Sequence, residues 1–167
     1  MSIDRHKVTE SAQQFVARGQ LDKAIAEYQR IVREDPNDVR VLLKVGDLQV
    51  QMRDRSAAVE TYSRVAAVYD SQGVPQKSAA VLRRILEIDP SQVALHTRLT
   101  ELYLKLSLPN EAIQQLDQLA QHYARSENND AQMTSLIPVI LMPHVKAGAM
   151  KPMGVSAEKR LPELPDV

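Results

Sequence analysis

Slid against itself by 54 residues, the chain coincides with itself at eleven positions between 5–58 and 59–112. These are Ala12/Ala66, Gly19/Gly73, Lys23/Lys77, Ala26/Ala80, Arg30/Arg84, Ile31/Ile85, Asp35/Asp89, Pro36/Pro90, Val39/Val93, Leu48/Leu102 and Ala58/Ala112. Similar pairs such as Phe15/Tyr69, Val45/Leu99 and Met52/Leu106 add to them. A third copy starts at 113 with Leu116, Leu119, Ala120 and Tyr123, then decays. Self-similarity of this kind restricts the chain to a repeat architecture, because one unit buries its apolar face only against the next.

Spacing within the unit says what it is made of. Apolar residues recur at helical intervals from Val8 to about residue 124, with no alternation of the kind a strand needs. The pattern is broken by RGQ (18–20), EDPND (34–38), RDRS (53–56), SQGVP (71–75), IDPS (88–91) and LSLPN (106–110). Each break holds Gly, Pro or a capping Asp, Asn or Ser. Pro75 and Pro109 fall at first helical positions, where the missing N–H costs little. The spacing therefore predicts an all-α chain with seven helices, at about 5–18, 21–34, 38–52, 55–72, 75–88, 92–106 and 109–125.

Within that pattern, GQLDKAIAEYQRIVREDP (19–36) resembles the second half of a tetratricopeptide repeat. The small, aromatic, small-or-apolar and proline positions of that family fall on Ala24, Tyr28, Ile31 and Pro36. The family period is about 34 residues, two helices per repeat. A first repeat then begins near Arg5, with Val8, Ser11, Ala12 and Phe15 at packing positions, and a second covers 39–72. In the second, Leu42, Val45, Gly46, Ala58, Tyr62 and Val65 match, while Asp70 replaces the motif proline. The next match ends at Pro90 and places its own first helix at 59–72, and a further repeat begins near Val93. The helix around 60–73 thus serves two repeats, and its Val59, Tyr62, Val65, Ala66, Val68 and Tyr69 cover more than one stripe. An ordinary repeat with one helix lost predicts the same pattern. The resemblance implies a right-handed α-solenoid of antiparallel helices.

The repeat domain is expected over 1–128. A degenerate capping helix is expected within 129–142, interrupted by Pro138, and a disordered tail over 143–167. That tail carries Leu161, Leu164 and Val167, which could form a short docking motif.

Chemistry is sparse. No phosphate loop, nucleophile elbow or H-E-x-x-H motif occurs, and the four histidines lie far apart without ligand spacing. Absence of cysteine excludes disulfides, thiolate nucleophiles and zinc–thiolate sites. Lys and Arg number 21 against 21 Asp and Glu, spread evenly, so no basic stripe serves nucleic acid. No apolar run is long enough to span a bilayer, and no secretory h-region opens the chain, so a cytoplasmic setting is expected. The Arg83/Arg84 pair reads as an exposed helix face. No enzyme activity, cofactor or metal is expected.

What remains is a surface. The resemblance implies a concave face lined by fixed first-helix positions, which here are His6, Thr9, Gln13 and Val16, then Arg40, Leu43, Asp47 and Val50. Ala94, Thr97, Glu101 and Leu104 follow in the last repeat, with Lys44, Arg64 and Arg98 from an adjoining position. These imply an adaptor or scaffold that binds a peptide, helix or small protein. The carboxylate clamp of chaperone-adaptor members maps onto Thr9, Gln13, Lys44, Glu60 and Arg64, where only the Arg is retained and Glu60 repels a carboxylate. Two other readings compete: a homo-oligomer docking through the apolar end at 136–142, and an accessory domain of an enzyme.

Overall fold

The computed structural model describes residues 3–125. They are all-α, with seven helices and no strand among the described residues. The helices are α1 (Arg5–Ala17), α2 (Leu21–Glu34), α3 (Val39–Gln51), α4 (Arg55–Ser71), α5 (Pro75–Ile88), α6 (Val93–Lys105) and α7 (Pro109–Arg125). Each boundary falls on or within a residue of the one that spacing predicts. The capping helix at 129–142 and the tail at 143–167 lie outside the described residues. Two compact units divide the chain at Gln92/Val93, one holding α1–α5 and the other α6–α7.

Backbone geometry repeats as strictly as the sequence does. Four turns, after α1, α3, α4 and α6, have the same construction. In each, a residue beyond the helix end donates its N–H five residues back. Gln20 donates to Phe15 (2.9 Å), Asp54 to Gln49 (2.9 Å), Val74 to Tyr69 (3.0 Å) and Leu108 to Tyr103 (2.8 Å). Each turn holds one left-handed residue: Gly19 (φ 70°), Arg53 (φ 62°), Gly73 (φ 68°) and Ser107 (φ 58°). This is the Schellman closure, which satisfies carbonyls that a helix end leaves open. The links α2–α3 and α5–α6 are built differently. There Asp35 and Asp89 donate to Ile31 and Ile85 (2.9 Å each), and their carboxylates accept from Asn37 and Ser91 (3.2 and 3.1 Å).

The left-handed positions 19 and 53 are one family period apart, as are 73 and 107, yet only twenty residues separate 53 from 73. The same turn therefore stands on both sides of α4. This helix closes one repeat and opens the next, and it packs against both α3 and α5. Its Ala58, Tyr62, Val65 and Ala66 are fully buried, as a helix apolar on two faces requires.

Two of these turns carry the wrong residue for their backbone. A side chain at φ near +60° costs roughly 1–2 kcal/mol, a strain that glycine avoids. Arg53→Gly is expected to stabilise the chain by about 0.5–1 kcal/mol, and Gly73→Ala to destabilise it by about 1 kcal/mol. Urea midpoints of the two variants check both signs.

In the first unit, α1, α2 and α3 share a cluster of Val8, Ala12, Ala24, Tyr28, Ile31, Val41, Val45 and Leu48. Asp4, Asp38 and Asp54 cap α1, α3 and α4 by accepting from Lys7, Val41 and Ala57. Arg5 pairs with Asp38 and, at 3.8 Å, with Asp35, while Arg64 donates to the Pro36 carbonyl at 3.3 Å. The α2–α3 turn is thus held by cations from α1 and α4. In the second unit Leu99, Ala112, Leu116 and Leu119 are buried. Beside them the buried His96 sets Nδ1 2.5 Å from the Gln115 amide, which gives this histidine a packing role.

Candidate partner-binding groove

One face of the first unit holds a depression of about 340 Å³ lined by Gln13, Val16 and Ala17 of α1, Tyr28 of α2, and Lys44, Asp47 and Leu48 of α3. The lining is set by helix periodicity. Gln13, Val16 and Ala17 stand three and four apart on α1, as do Lys44, Asp47 and Leu48 on α3. Tyr28 is 2% exposed, and burial holds its phenol above the usual tyrosine value. Lys44 stands over its ring, Nζ 6.0 Å from the centroid, a cation–π distance.

Asp47 is the more constrained of the two charged lining residues. Its Oδ1 accepts from the Tyr62 hydroxyl of α4 (2.6 Å) and from Arg84 Nη2 of α5 (2.5 Å). The Arg84 guanidinium lies 4.8 Å from the Tyr62 ring centre. Gly46 makes this approach possible. A Cβ there would stand 2.6 Å from Tyr62 Cε1 and 2.8 Å from Cζ. Burial raises the Tyr62 phenol far above its ordinary value. The hydrogen bond to Asp47 and that carboxylate's charge add to the rise, and Arg84 opposes it.

The sign of that shift sets a pH dependence. A raised phenol keeps its proton in the folded chain after the unfolded chain has lost it. Stability is therefore complete below about pH 10 and falls above it, by at most about 1.4 kcal/mol per pH unit for each such tyrosine. Denaturant unfolding from pH 8 to 12 checks this, and Tyr62→Phe is expected to flatten the alkaline limb.

Of the positions expected to line a concave face, the structure gathers Gln13, Val16, Lys44 and Asp47 around this groove. Thr9 is half-buried and returns its hydroxyl to the Arg5 carbonyl of its own helix (2.8 Å). Arg40 and Val50 are exposed on α3 and Leu43 is half-buried, but none of them lines the depression. Arg64 is turned to the α2–α3 turn. Thr97, Arg98 and Glu101 stand on α6 in the second unit, with the Thr97 hydroxyl bonded to Val93 (3.2 Å).

Sequence reading gave Tyr28 only as the family's aromatic position, and missed the part of Arg84. Both Arg83 and Arg84 are exposed, as read, but Arg83 stands 4.0 Å from Glu87 of its own helix while Arg84 reaches across to α3. No local pattern marks this. Its repeat mate Arg30 binds Glu27 within α2 at 2.8 Å. Other mates do agree: Lys23 stands over Phe15 (5.8 Å) and Lys77 over Tyr69 (5.5 Å).

Residues 15–73, which contain the shared helix and most of the groove, match the family model described as tetratricopeptide repeat. That segment is similar to the tetratricopeptide repeat. Similar solved structures include MamA (15% identity, TM-score 0.40, covering 89% of this chain and 88% of that one). Another is a tetratricopeptide repeat protein from Parabacteroides merdae (16% identity, TM-score 0.37, 87% and 62%). A third is YrrB, a tetratricopeptide repeat protein with an unusual peptide-binding site (14% identity, TM-score 0.35, 88% and 93%). Among curated proteins none matches the sequence.

Tetratricopeptide repeats are a protein-interaction architecture and are generally non-catalytic. Among the described residues no group of three or more His, Asp or Glu is placed to hold a metal ion. No described helix is long and apolar enough to cross a membrane.

Proposed function

We propose that this chain is a non-catalytic adaptor or scaffold whose α1–α3 groove binds a peptide, helix or small protein. The observation that carries the reading is the groove itself. An apolar lining of Val16, Ala17, Tyr28 and Leu48 stands beside the polar Gln13 and the cationic Lys44. Apolar surface with a few placed polar groups is what a recognition site needs: burial supplies affinity and the polar groups supply orientation. The even charge balance of the chain argues for a protein partner over nucleic acid.

A pull-down with the wild-type chain and with Arg40→Glu plus Lys44→Glu tests this. Both residues are exposed, so the fold is expected to survive. Specific bands are expected to disappear with the double variant, and unchanged capture would sink the groove as the site.

A further inference from the structure

We infer that the groove selects an acidic segment with an aliphatic anchor, and that Arg84 sets this preference from outside by neutralising Asp47. The inference rests on the proposed groove and adds the chemistry of what fills it. Lys44 and Asp47 are the charged lining residues, and counted alone they cancel. They are not equivalent. Oδ1 of Asp47 is engaged within the protein, by the Tyr62 hydroxyl and by the Arg84 guanidinium that stands over the Tyr62 ring.

Lys44 has no ion pair among the described residues, only the Tyr28 ring beside it. Arg40, one turn earlier on α3, is exposed and also without an ion pair among the described residues. With Asp47 paired to Arg84, Lys44 leaves the groove with uncompensated positive charge, and Arg40 adds to it from outside the depression, although the chain as a whole has no net charge. Charge complementarity asks for carboxylates on the partner. Val16, Ala17 and Leu48 ask for an aliphatic side chain between them.

Arg84 is a positioning residue in this arrangement, since it does not line the groove. Without it Asp47 would cancel the charge of Lys44, one turn away, and weaken the attraction for the same segment.

A random-peptide display library selected on the full chain provides the probe. Peptides that lose binding to both Gln13→Trp and Ala17→Trp, neutral substitutions at exposed lining positions, are counted as groove ligands. Enrichment of Asp and Glu beside Leu, Ile or Val among them is the expected result. Groove ligands that are neutral or basic overturn the acidic preference while leaving the groove as a site. If no selected peptide is sensitive to those variants, the groove reading fails as well.

For the best acidic peptide, Arg84→Ala is expected to weaken binding about three- to tenfold, with a smaller loss at high salt. Asp47→Asn added to Arg84→Ala removes the stranded carboxylate and is expected to restore affinity to within about twofold. A loss that the double variant leaves in place, in protein of unchanged circular dichroism, overturns the charge-balancing role of Arg84.

Discussion

Tyr62→Ala is expected to lower the unfolding free energy of the first unit by about 3–5 kcal/mol, the range for removing a fully buried aromatic ring. Tyr62 is 0% exposed and lies on the shared helix, so its loss opens a void between elements on both sides. It also removes the hydroxyl that Asp47 accepts from and the ring beneath Arg84. Tyr62→Phe isolates the polar part and is expected to cost about 1.5–3 kcal/mol, as for a hydrogen bond to a charged acceptor. Urea denaturation followed by circular dichroism separates the two. Equal costs for Phe and Ala would mean that the hydroxyl carries the whole effect and the packing account is wrong.

The second large effect belongs to Gly46 on the facing helix. Gly46→Thr places a branched side chain where a single Cβ already meets the Tyr62 ring at 2.6 Å, and it is expected to cost about 3 kcal/mol. The repeat suggests the remedy. At the equivalent positions 54 residues on stand Thr100 and Leu116, both buried, in place of Gly46 and Tyr62. The second copy thus holds a threonine and a smaller aliphatic at the positions where the first holds no side chain and a large ring. Gly46→Thr with Tyr62→Leu is accordingly expected to cost about 1–2 kcal/mol less than the sum of the two single costs, a coupling of the size that contacting residues show. Additive costs in a double-mutant cycle would remove ring crowding as the reason for the glycine.

Both predictions bear on the groove. Asp47 reaches Tyr62 only because Gly46, one residue before it, lets α4 come close. The contact that stabilises the first unit is therefore the same one that takes the Asp47 charge out of play. Stability and charge selectivity are linked through one tyrosine hydroxyl.

By itself the sequence determined the helices, their ends and the 54-residue unit. Those features are local or repeated: apolar spacing of 3.6 residues, capping residues Asp38 and Asp54 in the breaks, and paired glycines at 19 and 73. The family resemblance, and not spacing, implied that Gln13, Val16, Lys44 and Asp47 share a face, and all four line the depression on the first unit. Tertiary structure alone decided that Arg53 and Ser107 adopt the left-handed turn without glycine, because packing at both ends of the turn outweighs local preference. It alone decided that Arg84 turns to Asp47 while its repeat mate Arg30 stays on its own helix. A flexible cation goes to whichever carboxylate the packed helices bring within reach, and no periodicity along the chain records that distance.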